Sequence, residues 1–271
     1  MMNSLFLKQF FLMGILRILF SIYAMIIFVV LMLIVFILSL ASVFMGRISG
    51  GNYVYKLCGY WSDIWFFLTF IKVKKINGHL FDPGQKYIVV ANHISYLDIP
   101  VLVNVFRKPL RPLGKESMVK IPIFGFLYRK AVVTVDRSSG ENRTRSISIL
   151  KSMIQRGISV LVFPEGTFNT TGRPLKEFYN GAFRVAIETQ TPVKPVLFLD
   201  TFDRMHYSTI FSLTPGMCRV VYLPDIETKG LALGDMELLK QRVFNMMEQN
   251  LVAYNAPWII GEENAVKPKA E

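Results

Sequence analysis

Cysteine and histidine are scarce in this 271-residue chain, and each scarcity excludes a chemistry. There are two cysteines, Cys58 and Cys218, and three histidines, His79, His93 and His206. Two distant thiols in unlike surroundings build neither a disulfide framework nor a thiolate metal site. Three scattered imidazoles leave no His-rich cluster, so no metal is expected. Charge is sparse as well: 18% of residues are charged against 52% hydrophobic, and the mean hydropathy is +0.38. That balance excludes general disorder and an ordinary soluble nucleic-acid binder. Negative charge is the scarcer sign, 19 Asp+Glu against 31 Lys+Arg, a formal net charge of +12. The length suits one or two domains with a sizeable core.

The longest gap in charge runs from Ile18 to Gly46, bounded by Arg17 and Arg47. About 20 apolar residues cross a bilayer's hydrocarbon core, so this stretch is long enough. It is too long for a cleavable signal peptide, the competing reading suggested by Ser39-Leu40-Ala41. A second segment, Tyr53 to Ile71, is rich in aromatics and closed by Lys72, Lys74 and Lys75. Leu57, Trp61, Ile64, Leu68 and Ile71 recur at helical spacing, which predicts a helix lying in the headgroup region. The plainer alternative is a helix packed on the globular domain. We therefore expect membrane-anchoring helices over 1–71 and an α/β domain over 72–271. Lysine and arginine flank the first run equally, so the positive-inside rule does not orient it. A single span and a one-leaflet hairpin both remain open.

Basic charge sits elsewhere. Lys72 to Leu175 holds 17 Lys+Arg and 6 Asp+Glu, nearly all of the excess. Such a region attracts anionic headgroups or a phosphorylated substrate. No basic–aromatic recognition motif accompanies it, so nucleic acid is not an expected partner. Beyond Lys86, apolar runs at Tyr87–Ala91, Ala131–Val135, Ser159–Phe163, Val193–Leu199 and Arg219–Leu223 read as strands. Arg143–Arg156, Ala182–Thr189 and Asp235–Tyr254 read as helices. This alternation predicts an α/β fold with a mostly parallel central sheet flanked by helices. In such sheets ligands gather beyond the carboxyl ends of the strands.

The unusual residues fall at those ends. Asn92-His93 follows the first strand, with Asp98 five residues after the histidine. Imidazole gains and loses protons near neutral pH, which suits a general base. Across a strand-to-helix turn Asp98 can fold back to fix its tautomer. Phe163-Pro164-Glu165-Gly166-Thr167 ends another strand and can present a carboxylate, a hydroxyl and backbone N–H groups to a polar ligand. Asp136-Arg137 ends a third, where an arginine can hold a phosphate by a bidentate pair or form a surface ion pair.

With Thr191-Pro192-Val193-Lys194-Pro195-Val196, these blocks stand in the order of the four motifs of the glycerolipid acyltransferases. The chain resembles that family, and most of all the bacterial 1-acyl-sn-glycerol-3-phosphate acyltransferases of the PlsC type. Gly114-Lys115-Glu116 is similar to the segment between their first two blocks. The resemblance implies that His93, oriented by Asp98, deprotonates the sn-2 hydroxyl of 1-acyl-glycerol-3-phosphate. The alkoxide then attacks the thioester of acyl-CoA or acyl-carrier protein, giving phosphatidic acid without a covalent acyl-enzyme or a cofactor. It further implies that Arg137, Glu165, Gly166 and Thr167 position the glycerol-phosphate end, with Lys115 as another phosphate contact. The implied place is a membrane, namely the cytoplasmic side of a bacterial inner membrane.

Two departures bear on the acceptor. Phe168 follows Glu-Gly-Thr where the family commonly has a basic or polar residue. Glu177-Phe178-Tyr179-Asn180 precedes Gly181-Ala182-Phe183 where relatives often have a Lys-rich turn. An acyltransferase for a lyso-aminolipid, such as a lyso-ornithine or lyso-glycine lipid, is the alternative acceptor reading. A non-catalytic membrane-associated lipid-binding protein is the alternative from another class.

Overall fold

The computed structural model describes residues 4–136 and 140–260. Two long helices come first, α1 (Ser4–Ser39) and α2 (Arg47–Leu68). The α/β part follows in the order β1 (Ile71–Ile76), β2 (Ile88–Ala91), α3 (Asp98–Val105), β3 (Arg111–Lys115), α4 (Phe124–Ala131), β4 (Val133–Val135) and α5 (Gly140–Gln155). It continues with β5 (Val160–Val162), α6 (Gly181–Glu188), β6 (Val193–Phe198), α7 (Thr201–Arg204), β7 (Gly216–Tyr222) and α8 (Met236–Ala253).

The seven strands form one sheet in the order β1-β7-β6-β2-β5-β3-β4. β6, β2, β5, β3 and β4 run parallel to one another, while β7 pairs antiparallel with β6 and parallel with β1. Both faces of β2, β5 and β6 are buried, as the unbroken Val/Ile/Leu runs require of parallel strands under helices on each side. One core layer packs α5, α6 and α8 through Leu150, Ile154, Phe183, Val243 and Met247. The other packs α2 and α3 through Tyr55, Trp65, Val101, Leu102 and Phe106. Strand β2 leaves its neighbours β5 and β6 on opposite sides, so the sheet's topological switch point lies at its carboxyl end.

Two strands went unread in the sequence. Ile71–Ile76 alternates apolar residues with lysines and pairs with β7 along its whole length. Arg111–Lys115 contains Pro112 and Gly114, and its pairing with β5 and then β4 makes it a strand. The α2 helix also differs from its expected orientation. Its buried face carries Val54, Tyr55, Gly59, Ser62, Trp65 and Phe66, whereas Ile64 of the expected stripe is exposed. The helix therefore packs on the α/β domain, as the plainer alternative held.

The first two helices form an antiparallel hairpin. Trp65 Nε1 donates to the Ala24 carbonyl at 2.9 Å, the Tyr23 hydroxyl to that of Leu68 and the Tyr53 hydroxyl to that of Leu38. Near one end of α1, Arg17 donates to the Ser212 carbonyl; beyond the other end, Lys130 Nζ donates to that of Ser42. Gly51 makes the tightest joint, since a Cβ there would lie 2.5 Å from the Lys130 carbonyl oxygen and 2.6 Å from Arg111 Nη2. Arg111 is itself buried and donates to the Ile48 carbonyl and to Asn52 Oδ1. We expect Gly51→Ala to destabilise the protein by about 1–3 kcal/mol through overpacking. Gly181→Ala, where an added Cβ meets nothing within 4 Å, should change stability by less than about 0.5 kcal/mol. Thermal unfolding of the two variants in detergent compares them, and equal melting points would disprove the close-packed joint.

Candidate active site

The loop from β2 into α3 is organised by one carboxylate. Asp98 stands in the first turn of α3, where a negative charge suits the helix's amino end. Its Oδ2 accepts from the backbone N–H of Ile94 at 2.8 Å and of Ser95 at 3.0 Å. The same oxygen lies 2.8 Å from His93 Nδ1. An ionised carboxylate only accepts, so this contact places the imidazole proton on Nδ1 and leaves Nε2 as an acceptor. Asp98 is fully buried, while the His93 side chain keeps 18% of its surface exposed. An oriented imidazole with one nitrogen free is the arrangement a general base needs.

Aromatic rings fix the plane of that imidazole. Phe163, at the end of β5, stacks on it with centroids 4.2 Å apart, and Phe168 meets it edgewise at 4.4 Å. Tyr96 then packs edgewise on Phe168 at 4.8 Å. The backbone of His93 is held on both sides: its N–H donates to Glu165 Oε1 at 2.9 Å, and its carbonyl accepts from the Asn169 N–H at 2.8 Å. Asn92 exchanges two hydrogen bonds with the backbone of Phe198, tying the loop to β6.

The expected substrate-contact residues occupy different situations. Glu165 is buried, and its second oxygen accepts from the Lys176 N–H at 2.9 Å, so both oxygens serve the backbone of the protein. Burial raises its carboxyl to about 7; the N–H donors of Lys176 and His93 oppose that rise, and nearby Asp98 adds to it. Gly166 has φ of 77°, the left-handed conformation that favours glycine in this turn. Thr167 is exposed, and its hydroxyl accepts from Lys176 Nζ at 2.7 Å. Lys115 is exposed at the carboxyl end of β3, opposite Val135 in register. Arg137 lies outside the described residues. Among the described residues no group of three His, Cys, Asp or Glu is placed to hold a metal ion, and both cysteines are free.

Sequence reasoning missed Lys176. It sits 11 residues past Glu165, and only closure of the intervening loop brings its ammonium to Thr167. A lysine directly after the turn-forming residues Gly172 to Leu175 was the available signal. Asn169 was missed too, although an asparagine just past a glycine turn often closes such a loop.

A family model described as Acyltransferase matches residues 72–199. The human 1-acyl-sn-glycerol-3-phosphate acyltransferase alpha is 30% identical over 183 residues, covering 67% of this chain and 64% of the human protein. Residues 72–199 thus carry an acyltransferase-family segment. Another member similar to it, the 1-acyl-sn-glycerol-3-phosphate acyltransferase of Escherichia coli (strain K12), is 30% identical over 169 residues, 60% of this chain and 66% of that protein. The matches thus span just under two thirds of these relatives' lengths. The crystal structure of the 1-acyl-sn-glycerophosphate (LPA) acyltransferase, PlsC, from Thermotoga maritima shares the family's fold. It superposes with a TM-score of 0.75 at 24% identity, covering 90% of this chain and 98% of that one. His93, Asp98 and the Glu165 loop all lie inside the family-matched segment.

Burial makes Glu165 a measurable pH reporter of this loop. Its folded value of about 7 lies above the ordinary 4.5, so its contribution to stability is complete below about pH 4.5 and lost as pH rises through 7. The shift corresponds to about 3 kcal/mol. We expect the stability gap between wild type and Glu165→Gln to narrow by that order between pH 5 and pH 8. Melting curves in detergent read the gap; a pH-independent gap would show that the carboxyl is not held this way.

Proposed function

We propose that the chain transfers an acyl group from acyl-CoA or acyl-carrier protein to the sn-2 hydroxyl of 1-acyl-glycerol-3-phosphate, making phosphatidic acid. The observation that carries this reading is the 2.8 Å contact between His93 Nδ1 and Asp98 Oδ2, which leaves Nε2 to accept a proton. In the proposed reaction Nε2 takes the hydroxyl proton as the oxygen attacks the thioester carbonyl. Asp98 stabilises the imidazolium across the Nδ1 bond. Collapse of the tetrahedral intermediate breaks the C–S bond, and the imidazolium returns its proton to the departing sulfur. Ester and free thiol result, and no bond forms between acyl group and protein. Glu165 acts in this scheme by positioning the His93 backbone, and Gly166 by permitting the turn. Lys176 and Thr167, with Lys115 and Arg137 as the resemblance implies, supply the phosphate contacts in this scheme.

We place the protein on one leaflet of a membrane, with its α/β domain on the cytoplasmic side, where acyl-CoA and acyl-carrier protein are made. The outward face of α1 supports this reading: it exposes Leu16, Leu19, Ile26, Val30, Ile34 and Ile37 along its length, and Phe44 at the hairpin turn is 94% exposed. The stretch between the domain contacts of Arg17 and Ser42 is roughly 37 Å long at 1.5 Å per residue, more than a hydrocarbon core. A bilayer-spanning α1 would carry the domain contacts at Phe126 and Lys130 into the lipid along with it. A hairpin lying along the leaflet exposes only its apolar face to lipid.

A second acceptor reading is kept by one observation. Phe168 packs on His93 and carries no charge toward the hydroxyl, which suits a lyso-aminolipid acceptor. The assay therefore offers lysophosphatidic acid and lyso-ornithine lipid side by side, with either thioester donor. We expect transfer to lysophosphatidic acid to fall at least about 100-fold in His93→Ala and by a comparable or larger factor in Asp98→Asn, with both variants still membrane-bound. Normal turnover in either would end the general-base mechanism, and transfer confined to lyso-ornithine lipid would move the assignment to that acceptor. Lys176→Ala should raise KM for lysophosphatidic acid about 10-fold, the loss of one charge-assisted hydrogen bond, with kcat little changed. An unchanged KM removes Lys176 from the headgroup site.

A further inference from the structure

A second group of cations lies on the β6 side of the catalytic loop, and the acyl-transfer reading makes no use of it. A cleft of about 670 Å³ opens between α1 and the segments that follow β6; its lining includes Arg17, Asp203, Arg204, His206 and Ser208. Arg17 is the last charge before the uncharged run of α1. Its Nε and Nη2 both donate to the Ser212 carbonyl, at 2.8 and 2.6 Å, which fixes the guanidinium at the edge of the cleft. Arg204 donates through Nη1 to the Pro215 carbonyl, and its Nε is buried with no acceptor among the described residues. Asp203 is the single acid among the lining residues.

The surroundings point to a lipid anion. Ile210 and Phe211 follow the cleft residue Thr209 and are exposed, at 40% and 48%. On the α1 side, Arg17 is followed immediately by exposed Ile18 and Leu19. The cleft thus presents two guanidinium groups inside an apolar lip, beside the start of the uncharged run of α1. A freely diffusing anion has no use for that lip, whereas a glycerolipid brings phosphate and acyl chain together. We propose that this cleft binds the phosphate of a glycerolipid headgroup, with Arg17 and Arg204 as its cations and Ser208 on its wall.

The cleft is joined to the catalytic loop. Ser95, three residues before Asp98, donates its hydroxyl to the Met205 carbonyl. A run of ring contacts links His206 to Tyr207 at 4.2 Å, Tyr207 to Phe168 at 6.5 Å and Phe168 to His93 at 4.4 Å. A bound headgroup would therefore seat the loop beside the dyad at the height of the leaflet. The proposal depends on the lipid-facing orientation of α1, and it stands apart from the chemistry assigned to His93.

The test uses the full chain in neutral detergent, with phosphatidylglycerol or phosphatidylcholine added and retained lipid counted by native mass spectrometry. Wild type should retain phosphatidylglycerol in preference. Arg204→Gln and Ser208→Asp should each weaken that retention about five-fold, the scale of one charge near a lipid surface. Arg204→Lys should keep most of it. Ser208→Asp leaves the hydrogen bonds of both arginines in place, so it answers even if Arg204→Gln fails to fold. Equal retention of the two lipids by wild type, or undiminished retention in Ser208→Asp, would overturn the site. Displacement of the lipid by millimolar inorganic phosphate would overturn its lipid character. The source of the phosphate is read from KM for lysophosphatidic acid in Ser208→Asp: a rise assigns it to the acceptor, and an unchanged value to a resident phospholipid. Loss of all acyl transfer in wild type would count against the proposed function while leaving the retention result intact.

Discussion

Three N–H donors converge on one oxygen of Asp98, and the rest of the site depends on that convergence. Two of them, from Ile94 and Ser95, are backbone groups of a buried loop that would otherwise lack partners. The third is His93 Nδ1. The same carboxylate therefore closes the turn, suits the start of α3 and sets the imidazole's tautomer. Spacing matters for this reason: five residues would part the two side chains on a straight helix, but a turn folded over the carboxylate brings them together.

The Asp98 loop needs a second staple, and Glu165 provides it. Neighbouring strands β2 and β5 end side by side, and each sends a loop over the sheet edge. Glu165 spans the gap by accepting from His93 in one loop and from Lys176 in its own. A carboxyl buried near Asp98 is a costly choice, as its rise toward neutrality records. The return is a backbone fixed on both sides of the His93 imidazole, with rings of Phe163 and Phe168 fixing its plane. Preorganisation of this kind is what the general-base role proposed for His93 would require.

Legibility in the sequence followed the burial of each element. β2, β5 and β6 are buried on both faces and were readable as unbroken apolar runs. β1 was not, because its lysines face outward and only pairing with β7 makes it a strand. The helix α2 was found but turned to the wrong face. Of its apolar stripe Ile64 stays exposed, and the face that packs most closely is the one whose Gly51, Gly59 and Ser62 permit close approach. In the site, the His93–Asp98 pair was legible because both members lie in one turn. The backbone contacts of Glu165 were not, since nothing in a polar loop's sequence tells that both carboxylate oxygens accept from main-chain N–H groups. Lys176 and the Arg17–Arg204 cleft depend on contacts between residues far apart in sequence, which no local pattern encodes.

The separation of apolar and basic residues along the chain has a geometric consequence. A hairpin docked lengthwise on the domain brings the uncharged face of α1 and the cations of the α/β part to adjoining surfaces. The proposed reaction would join a water-borne thioester to a lipid whose chain stays in the leaflet. A site raised far above the surface would have to extract that lipid, losing about 0.8 kcal/mol for each CH₂ withdrawn from the hydrocarbon. With α1 docked flat as proposed, His93 would stay within the reach of a headgroup whose acyl chain remains buried. On the proposed one-leaflet reading the hydrophobic helix would contribute to the chemistry through height: it would set the level of the dyad, and the cations around it would select what arrives there.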